Sequence, residues 1–527
     1  DPDGRGLAGL EQQYDEVLRG RPGRRAVQRD RRGVVKALVG GSYVAPEDGE
    51  HLVLTIDLVR QTILEEELAA GVAAAGARWG TAIAMDPRNG AILAMASVPD
   101  YDPNAPGAFS SDARRNHAVV DRIEPGSTFK LVTAVAALEH GAARPDEEID
   151  TGQGWAVFRG RTMRDAHAYG RLTFGEAIAK SSNVAMARVA TRLEPGQFYQ
   201  TARALGFGSP TWIDLPGEVA GRLKRPSEWS GTTLPWMSTG YEVEATPLQI
   251  LTAYCALANG GLLVQPHLVA ARRDRQGQTT WTARPDSVRR VFSEATARAL
   301  TPYFERVVSR DGTAERAAVP GLRVAGKTGT AQTATGGGYA RAYRATFVGF
   351  FPVEAPEVAI VVVLDAPRNG IYGGHVSAPI FSAVARRWIG TFPSIAARVA
   401  PSAPLPARTR AVVPDIDGQP AAVAAHRLRA AGFPVRLAAA DPWAPVSARE
   451  PQGDTLALRT DLRLVAGADA RRETMPNLRG LSARQAVAWL AALGVEARIV
   501  GRGAVRRQTP APGARLGRAA EATLTLQ

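Results

Sequence analysis

The sequence predicts an α+β fold, with helices flanking a mainly antiparallel sheet, followed by two small α/β repeats. Three observations carry that expectation. Strand-like runs fall at both ends of residues 46–398 with helical patterns between them, an order that segregates helices from an antiparallel sheet. An Asn89-Gly90 turn splits the apolar stretch from Ala82 to Met95 into two runs, a strong hairpin signal. Beyond a Pro-rich stretch, Ala400 to Pro406, the sequence repeats itself at an offset of 62 residues. A chain of 527 residues has room for three or four domains at roughly 150 residues each.

The elements follow in order. Residues 1–45 are polar and Arg-rich, with helical spacing from Gly9 to Leu18, too short a segment for its own core. They read as the end of a larger N-terminal domain. Asp57 is placed to cap a helix running to Ala75. Pro125-Gly126 introduces a helix from Ser127 to Leu138, closed by Gly141. Thr173-Phe-Gly-Glu176 is a capping box opening another. Strands return at Leu322–Ala325, Thr346–Phe350 and Val358–Leu364. The main domain is expected over 46–398 and a Pro-rich linker over 399–410. The repeats follow at 411–467 and 473–527, with Pro414, Ile416, Gly418, Leu428 and Gly432 matching Pro476, Leu478, Gly480, Leu490 and Gly494.

Composition excludes several classes. Apolar residues at 45% and charged residues at 22% describe a globular chain. The net charge of +13 suits an anionic partner such as nucleic acid, a membrane surface or an acidic wall polymer. The basic residues are scattered, without the run that marks a nucleic-acid tail. Cys255 is the sole cysteine, which removes any intramolecular disulfide or Cys-based metal site, and its apolar neighbours predict burial. The seven histidines show no tight ligand spacing, so no metal site is expected. No run approaches the ~18 apolar residues of a membrane-spanning helix. The chain opens at Asp1 without a signal-like segment and reads as a processed or truncated product.

The lysines are the most informative residues. Only five of the 64 cationic residues are lysines: Lys36, Lys130, Lys180, Lys224 and Lys327. A chain that accepts arginine almost everywhere keeps lysine where a proton must leave or a compact point charge is needed. Two of the five lie in short elements with chemical content. In Glu124-Pro-Gly-Ser127-Thr-Phe-Lys130, Ser127 sits at a helix N-terminus and Lys130 one turn along shares its face. A desolvated amine there can serve as base for the hydroxyl; the plainer alternative is a capping serine with a surface lysine. In Gly326-Lys327-Thr328-Gly329-Thr330, a strand-borne lysine can pair with a substrate carboxylate, Gly329 admits a ligand backbone, and the Thr330 N–H can complete an oxyanion hole. A third element, Lys180-Ser181-Ser182-Asn183, breaks two apolar helical runs. Ser181 can relay a proton and Asn183 can orient an amide, though helix capping alone also accounts for both.

Gly321 to Thr328 also fits the P-loop pattern, with Ala359–Asp365 resembling the apolar strand whose terminal Asp holds magnesium. The context opposes an NTPase: the variable residues alternate like a strand, and Gly329 with Gly336-Gly-Gly338 precludes the required helix.

Ser-x-x-Lys, Ser-x-Asn and Lys-Thr-Gly, in that order, form the signature of penicillin-interacting serine acyltransferases. The chain resembles a class B penicillin-binding protein, a monofunctional D,D-transpeptidase. Gly9-Leu-Glu11 with Tyr14-Asp15 resembles the end of that family's N-terminal pedestal. Asp86-Pro87 with Gly90, Tyr101-Asp-Pro-Asn104, Gly240-Tyr241 with Thr246-Pro-Leu-Gln249, and Tyr372-Gly-Gly374 match its transpeptidase pattern. The repeats resemble PASTA domains, the second closely, the first departing after Gly432. The resemblance implies a penicillin-binding transpeptidase domain with a helical subdomain. It implies Ser127 as nucleophile, Lys130 as its base, Ser181 as proton relay to the departing D-Ala and Asn183 as holder of the substrate amide. Lys327 and Thr328 are implied to receive the terminal carboxylate, with Gly329 beside them and the Ser127 and Thr330 N–H groups forming the oxyanion hole. It further implies peptidoglycan stem peptides as substrate, β-lactams as covalent inhibitors, a SEDS-family glycan polymerase as partner, no nucleic acid and no cofactor. The expected location is the extracytoplasmic face of the bacterial membrane, the anchor lying outside this chain. Alternatives are a class D-like β-lactamase or β-lactam sensor, a D,D-carboxypeptidase and a non-catalytic wall-binding scaffold.

Overall fold

The computed structural model describes residues 4–399 and 410–527, except 25–26, 30, 33–34, 39–42, 285–286, 336–337, 418, 420, 439–443, 445, 452–454, 458–461, 467–474, 484–485, 488–489, 491–494, 502 and 517–520. All of the Pro-rich stretch from Ala400 to Pro406, together with Gly418 and Gly494, lies outside the described residues. The chain divides into two compact units, Asp1–Trp388 and Ile389–Gln527.

In the first unit, α1 (Leu58–Ala75) starts where the Asp57 carboxylate accepts the Arg60 N–H and stops at Gly76 in the left-handed region. The chain then forms β1 (Trp79–Met85) and β2 (Ile92–Val98) around the Asn89-Gly90 turn. Far along the sequence come β3 (Ala325–Thr335), β4 (Gly338–Phe351) and β5 (Val358–Asp365). They join the first hairpin in one antiparallel sheet of order β3-β4-β5-β1-β2. The sheet is thus assembled from both ends of the domain, and β3 is an edge.

Both faces of the central strands are covered. Every residue of β5 is buried, which fits its unbroken apolar run. On one side α2 (Lys130–Glu139) and α5 (Pro247–Ala258) join a core that includes Ile83, Phe129, Val132, Leu251, Tyr254, Cys255, Val348, Phe350 and Val361. On the other, α1 and α6 (Ala378–Trp388) pack together and against the sheet. The capping box at Thr173 opens α3 (Phe174–Lys180), and α4 (Asn183–Ala190) follows after two residues.

Three expected boundaries move. Leu322–Ala325 is not a strand: β3 begins at Ala325, which pairs with Phe350, and runs through the Lys-Thr-Gly element. The cause lies on the partner strand, which ends at Phe351 before Pro352, a residue with no N–H to extend the ladder. Gly326 to Thr328 therefore lie inside a strand, without the loop and helix of a P-loop. Gly9–Leu18 is two short helices, Gly9–Gln13 and Asp15–Leu18. Between them the Tyr14 hydroxyl reaches the Asp214 carboxylate at 3.1 Å, and burial beside that carboxylate pushes the phenol up to about 12. Ser127 lies in a 3-10 turn, Gly126–Phe129, and the α-helix proper begins at Lys130.

In the second unit each repeat has its own apolar core. Ile416 and Leu428 are buried in one, their offset partners Leu478 and Leu490 in the other. Each builds a three-stranded sheet with one parallel and one antiparallel pair: Val435–Ala438, Leu462–Ala466 and Val446–Glu450 in the first, Glu496–Val500, Glu521–Leu526 and Val505–Thr509 in the second. Val423 of the first repeat packs into the core of the second. Among the described residues no helix is long and apolar enough to cross a membrane.

Candidate active site

The turn carrying Ser127 is pinned from three directions. Gly126 takes φ +53° and donates its N–H to the Gly240 carbonyl at 3.1 Å. A side chain on Gly240 would lie 2.0 Å from the Gly126 oxygen, so only glycine permits this approach. The Thr128 hydroxyl closes the turn on the Pro125 carbonyl at 2.7 Å, and the buried Tyr254 hydroxyl donates to the Thr128 carbonyl at 2.9 Å. With Phe129 in the core, Ser127 is left half-buried at the surface of a rigid turn. Three residues on, Lys130 projects from the first position of α2 and is fully buried.

Ser181 supplies the second wall. It ends α3 in the left-handed conformation, φ 59° and ψ 38°, a costly state for a non-glycine residue. The reversal presents both its carbonyl and its hydroxyl to Lys130. The Lys130 Nζ donates to Ser181 O at 2.6 Å, Ser181 Oγ at 3.0 Å and Asn183 Oδ1 at 2.7 Å. From the opposite side Lys327 Nζ donates to the same Ser181 Oγ at 2.8 Å. Three acceptors satisfy the three N–H bonds of an ammonium. Burial nevertheless lowers the Lys130 pKa to about 7, while the Asp165 carboxylate works in the opposite direction. Lys327 is lowered well below the ordinary lysine range, first by burial and then by its proximity to Lys130. Two amines sharing one hydroxyl in a dry site disfavour double protonation.

Asp165 escaped the sequence reading. Its carboxylate accepts the Ser182 hydroxyl at 2.7 Å, the Val184 N–H at 3.0 Å and, through a short contact, the Asn183 N–H. These donors open α4, so the carboxylate fixes the loop and meets the positive end of a helix. The Asn183 side chain is held by its Nδ2 on the Arg164 carbonyl at 2.9 Å. Ser182 itself caps α4, accepting the Ala185 N–H at 3.0 Å. No spacing links residue 165 to 181–183; a lone acid carries no such signal.

The edge strand β3 forms the third wall. Lys327 is fully buried and turned inward. Thr328 pairs its hydroxyl with that of Thr313 at 2.9 Å, and Thr330 Oγ1 accepts the Gly373 N–H at 3.3 Å. Gly329 has a packing role as well. A side chain there would lie 2.9 Å from the Pro125 oxygen and 3.0 Å from the Thr128 methyl, so its bareness seats the Ser127 turn against the strand. Thr313 was also missed, since nothing in its local sequence connects it with Thr328. The eight expected site residues come from three segments: hydrogen bonds join Lys130, Ser181, Asn183 and Lys327, and Gly329 lies against the turn that carries Ser127.

A half-buried serine on a rigid turn, a buried lysine of lowered pKa, and a second lysine joined to it through one hydroxyl define a serine acyltransferase site of the penicillin-interacting class. Residues 80–386 match the penicillin binding protein transpeptidase domain, residues 2–54 the penicillin-binding protein dimerisation domain and residues 473–527 the PASTA domain. The chain belongs to the penicillin-binding protein transpeptidase family. It is 36% identical over 387 residues to the probable peptidoglycan D,D-transpeptidase PenA of Neisseria meningitidis, covering 73% of this chain and 64% of that protein. It is 33% identical over 386 residues to the peptidoglycan D,D-transpeptidase FtsI of Escherichia coli, covering 72% and 63%. The chain thus spans just under two thirds of these curated relatives. Among solved structures, penicillin binding protein 3 of Mycobacterium tuberculosis complexed with ampicillin superposes with a TM-score of 0.68 at 33% identity, over 76% of this chain and 87% of that one. Its complex with aztreonam gives 0.67 at 34%, over 74% and 86%.

Proposed function

We propose that this chain is a peptidoglycan D,D-transpeptidase that cross-links stem peptides through an acyl-enzyme on Ser127. The observation that carries the reading is the convergence of Lys130 and Lys327 on the Ser181 hydroxyl, with Lys130 one turn along from Ser127. With a pKa of about 7, a large share of Lys130 is neutral at neutral pH, so it can accept the Ser127 proton as the oxygen attacks the penultimate D-Ala carbonyl. The N–H groups of Ser127 and Thr330 receive the negative charge that develops on the carbonyl oxygen. Ser181, bonded to both amines, passes a proton to the departing D-Ala nitrogen. Asn183 orients the substrate amide. Lys327 and Thr328 receive the terminal carboxylate, whose charge favours the protonated form of the lysine it meets. An amine from a second stem then attacks the ester carbon, an amide forms, and the Ser127 Oγ–carbon bond breaks.

The same chemistry makes β-lactams covalent inhibitors, a reading supported by the relatives solved with ampicillin and aztreonam. We place the reaction at the extracytoplasmic face of a bacterial membrane, with a SEDS-family polymerase as the source of glycan. The test is peptide mapping after incubation with labelled penicillin. The expected result is one adduct, on Ser127, abolished in Ser127→Ala; an adduct elsewhere, or none, rejects the assignment.

A further inference from the structure

The wall around Ser181 continues into a surface that the acylation step leaves unused. Strands Trp155–Phe158 and Arg161–Arg164 form an antiparallel hairpin whose root is closed by the Asp165 N–H on the Gly154 carbonyl at 2.8 Å. Its two faces differ. Met163 is buried and Ala156 and Phe158 are half-buried on the inward face. On the outward face Trp155 stands opposite Arg164 and Val157 opposite Thr162, all four exposed. Trp155 is 49% and Val157 55% accessible, an unusual display for a tryptophan and a valine on adjacent positions of one face. At the tip the Arg161 guanidinium stacks over Trp236, 4.5 Å from the ring centre, which steadies the hairpin. Residues 155–164 carry three arginines and no carboxylate.

We propose that this outward face receives the second stem peptide, the one that supplies the acyl-accepting amine. The inference rests on the transpeptidase reading. The donor stem occupies the β3 edge, where the carboxylate and oxyanion groups lie. By microscopic reversibility the attacking amine enters by the path along which the D-Ala amine departs, past the Ser181 relay. Its nitrogen forms the new amide bond to the acyl carbon. Its proton passes to the lysine and serine relay, and Ser127 regains a hydroxyl. The remainder of that acceptor must then lie on the flank of residues 181–183. The hairpin is that flank, because the Arg164 carbonyl holds Asn183. A wall stem is a carboxylate-bearing peptide, and a face on which the Arg164 guanidinium stands opposite an exposed indole fits it in charge and in contact area.

The experiment uses the full chain with a synthetic D-Ala-D-Ala stem as donor. The acceptors are a stem tripeptide with a free side-chain amine and, separately, free D-alanine. Trp155→Ala and Thr162→Glu should each lower transfer to the stem acceptor about tenfold, equivalent to about 1.4 kcal/mol, while Thr162→Lys preserves it. Exchange with D-alanine and acylation by labelled penicillin should stay within about twofold in all three variants, since no donor-side group changes. Unchanged transfer to the stem, or an equal loss for stem and D-alanine, overturns the proposal. Competition by stem-free glycan as strong as by free stem peptide also overturns it, because the face would then read sugar. Absence of a penicillin adduct on the unsubstituted chain instead rejects the transpeptidase reading, and this inference with it.

Discussion

The helix wall and the strand wall of the cleft each bury one lysine, and the contrast shows how backbone context divides two tasks between identical side chains. Lys130 leaves the start of α2, meets three oxygen acceptors from the 181–183 loop and feels the Asp165 carboxylate. Its pKa falls to about 7, the value that suits a base working near neutrality. Lys327 leaves an edge strand, shares the Ser181 hydroxyl and takes the repulsion of Lys130 without an acid beside it. Lys130 lies where it can exchange a proton, and Lys327 lies on the strand side, where a bound carboxylate would draw the proton of the pair toward it. Arginine separates these tasks, because a guanidinium keeps its charge and cannot serve as a base.

The largest effect is expected from Lys130→Arg. Acylation by labelled penicillin should fall at least about 100-fold in a folded variant, since a positioned base contributes about 100- to 10,000-fold. Near-normal acylation would break the contrast by making both lysines fixed charges. Ser181→Ala comes next, removing the hydroxyl that joins the amines, with a fall of about 100-fold in the same assay. Ser182→Ala should act mainly on stability, by about 1 kcal/mol in denaturant titration, because Ser182 is the cap of α4. A larger rate loss at Ser182 than at Ser181 would show that the relay is misassigned. Lys327→Arg keeps a cation and should cost about tenfold in kcat/KM for a stem-peptide donor, chiefly through KM. An equal loss in Lys130→Arg and Lys327→Arg would erase the distinction. The smallest effect is expected from deleting residues 408–527, which hold none of the expected site residues. Acylation should stay within about twofold, because each part has its own apolar core.

Much of this site was legible because it is written in scarce residues at short range. Three serine and lysine elements stood out against 59 arginines, and the Asn89-Gly90 turn, the Asp57 cap and the Thr173 capping box are local signals that the fold keeps. What escaped depends on distant partners. The start of β3 is set by where Phe351 ends the neighbouring strand, not by the alternation from Leu322 to Ala325. Asp165 and Thr313 act across 17 or 15 residues with no periodic pattern to connect them. That Gly329 also seats the turn bearing Ser127 against the strand depends on Pro125 and Thr128, about 200 residues away in sequence. The break at Tyr14, whose hydroxyl reaches residue 214, is not marked by helical spacing.

The measurement closest to the central claim is the pH dependence of Ser127 acylation by labelled penicillin under single-turnover conditions. Only the neutral amine of Lys130 accepts the serine proton, so the rate constant should rise with pH through about 7, the value burial gives this lysine, and level off above it. Because the two lysines titrate as a pair, the midpoint belongs to the pair. A rate constant that stays flat from roughly pH 5.5 to 9, or that falls as pH rises through 7, would contradict the assignment of Lys130 as the base.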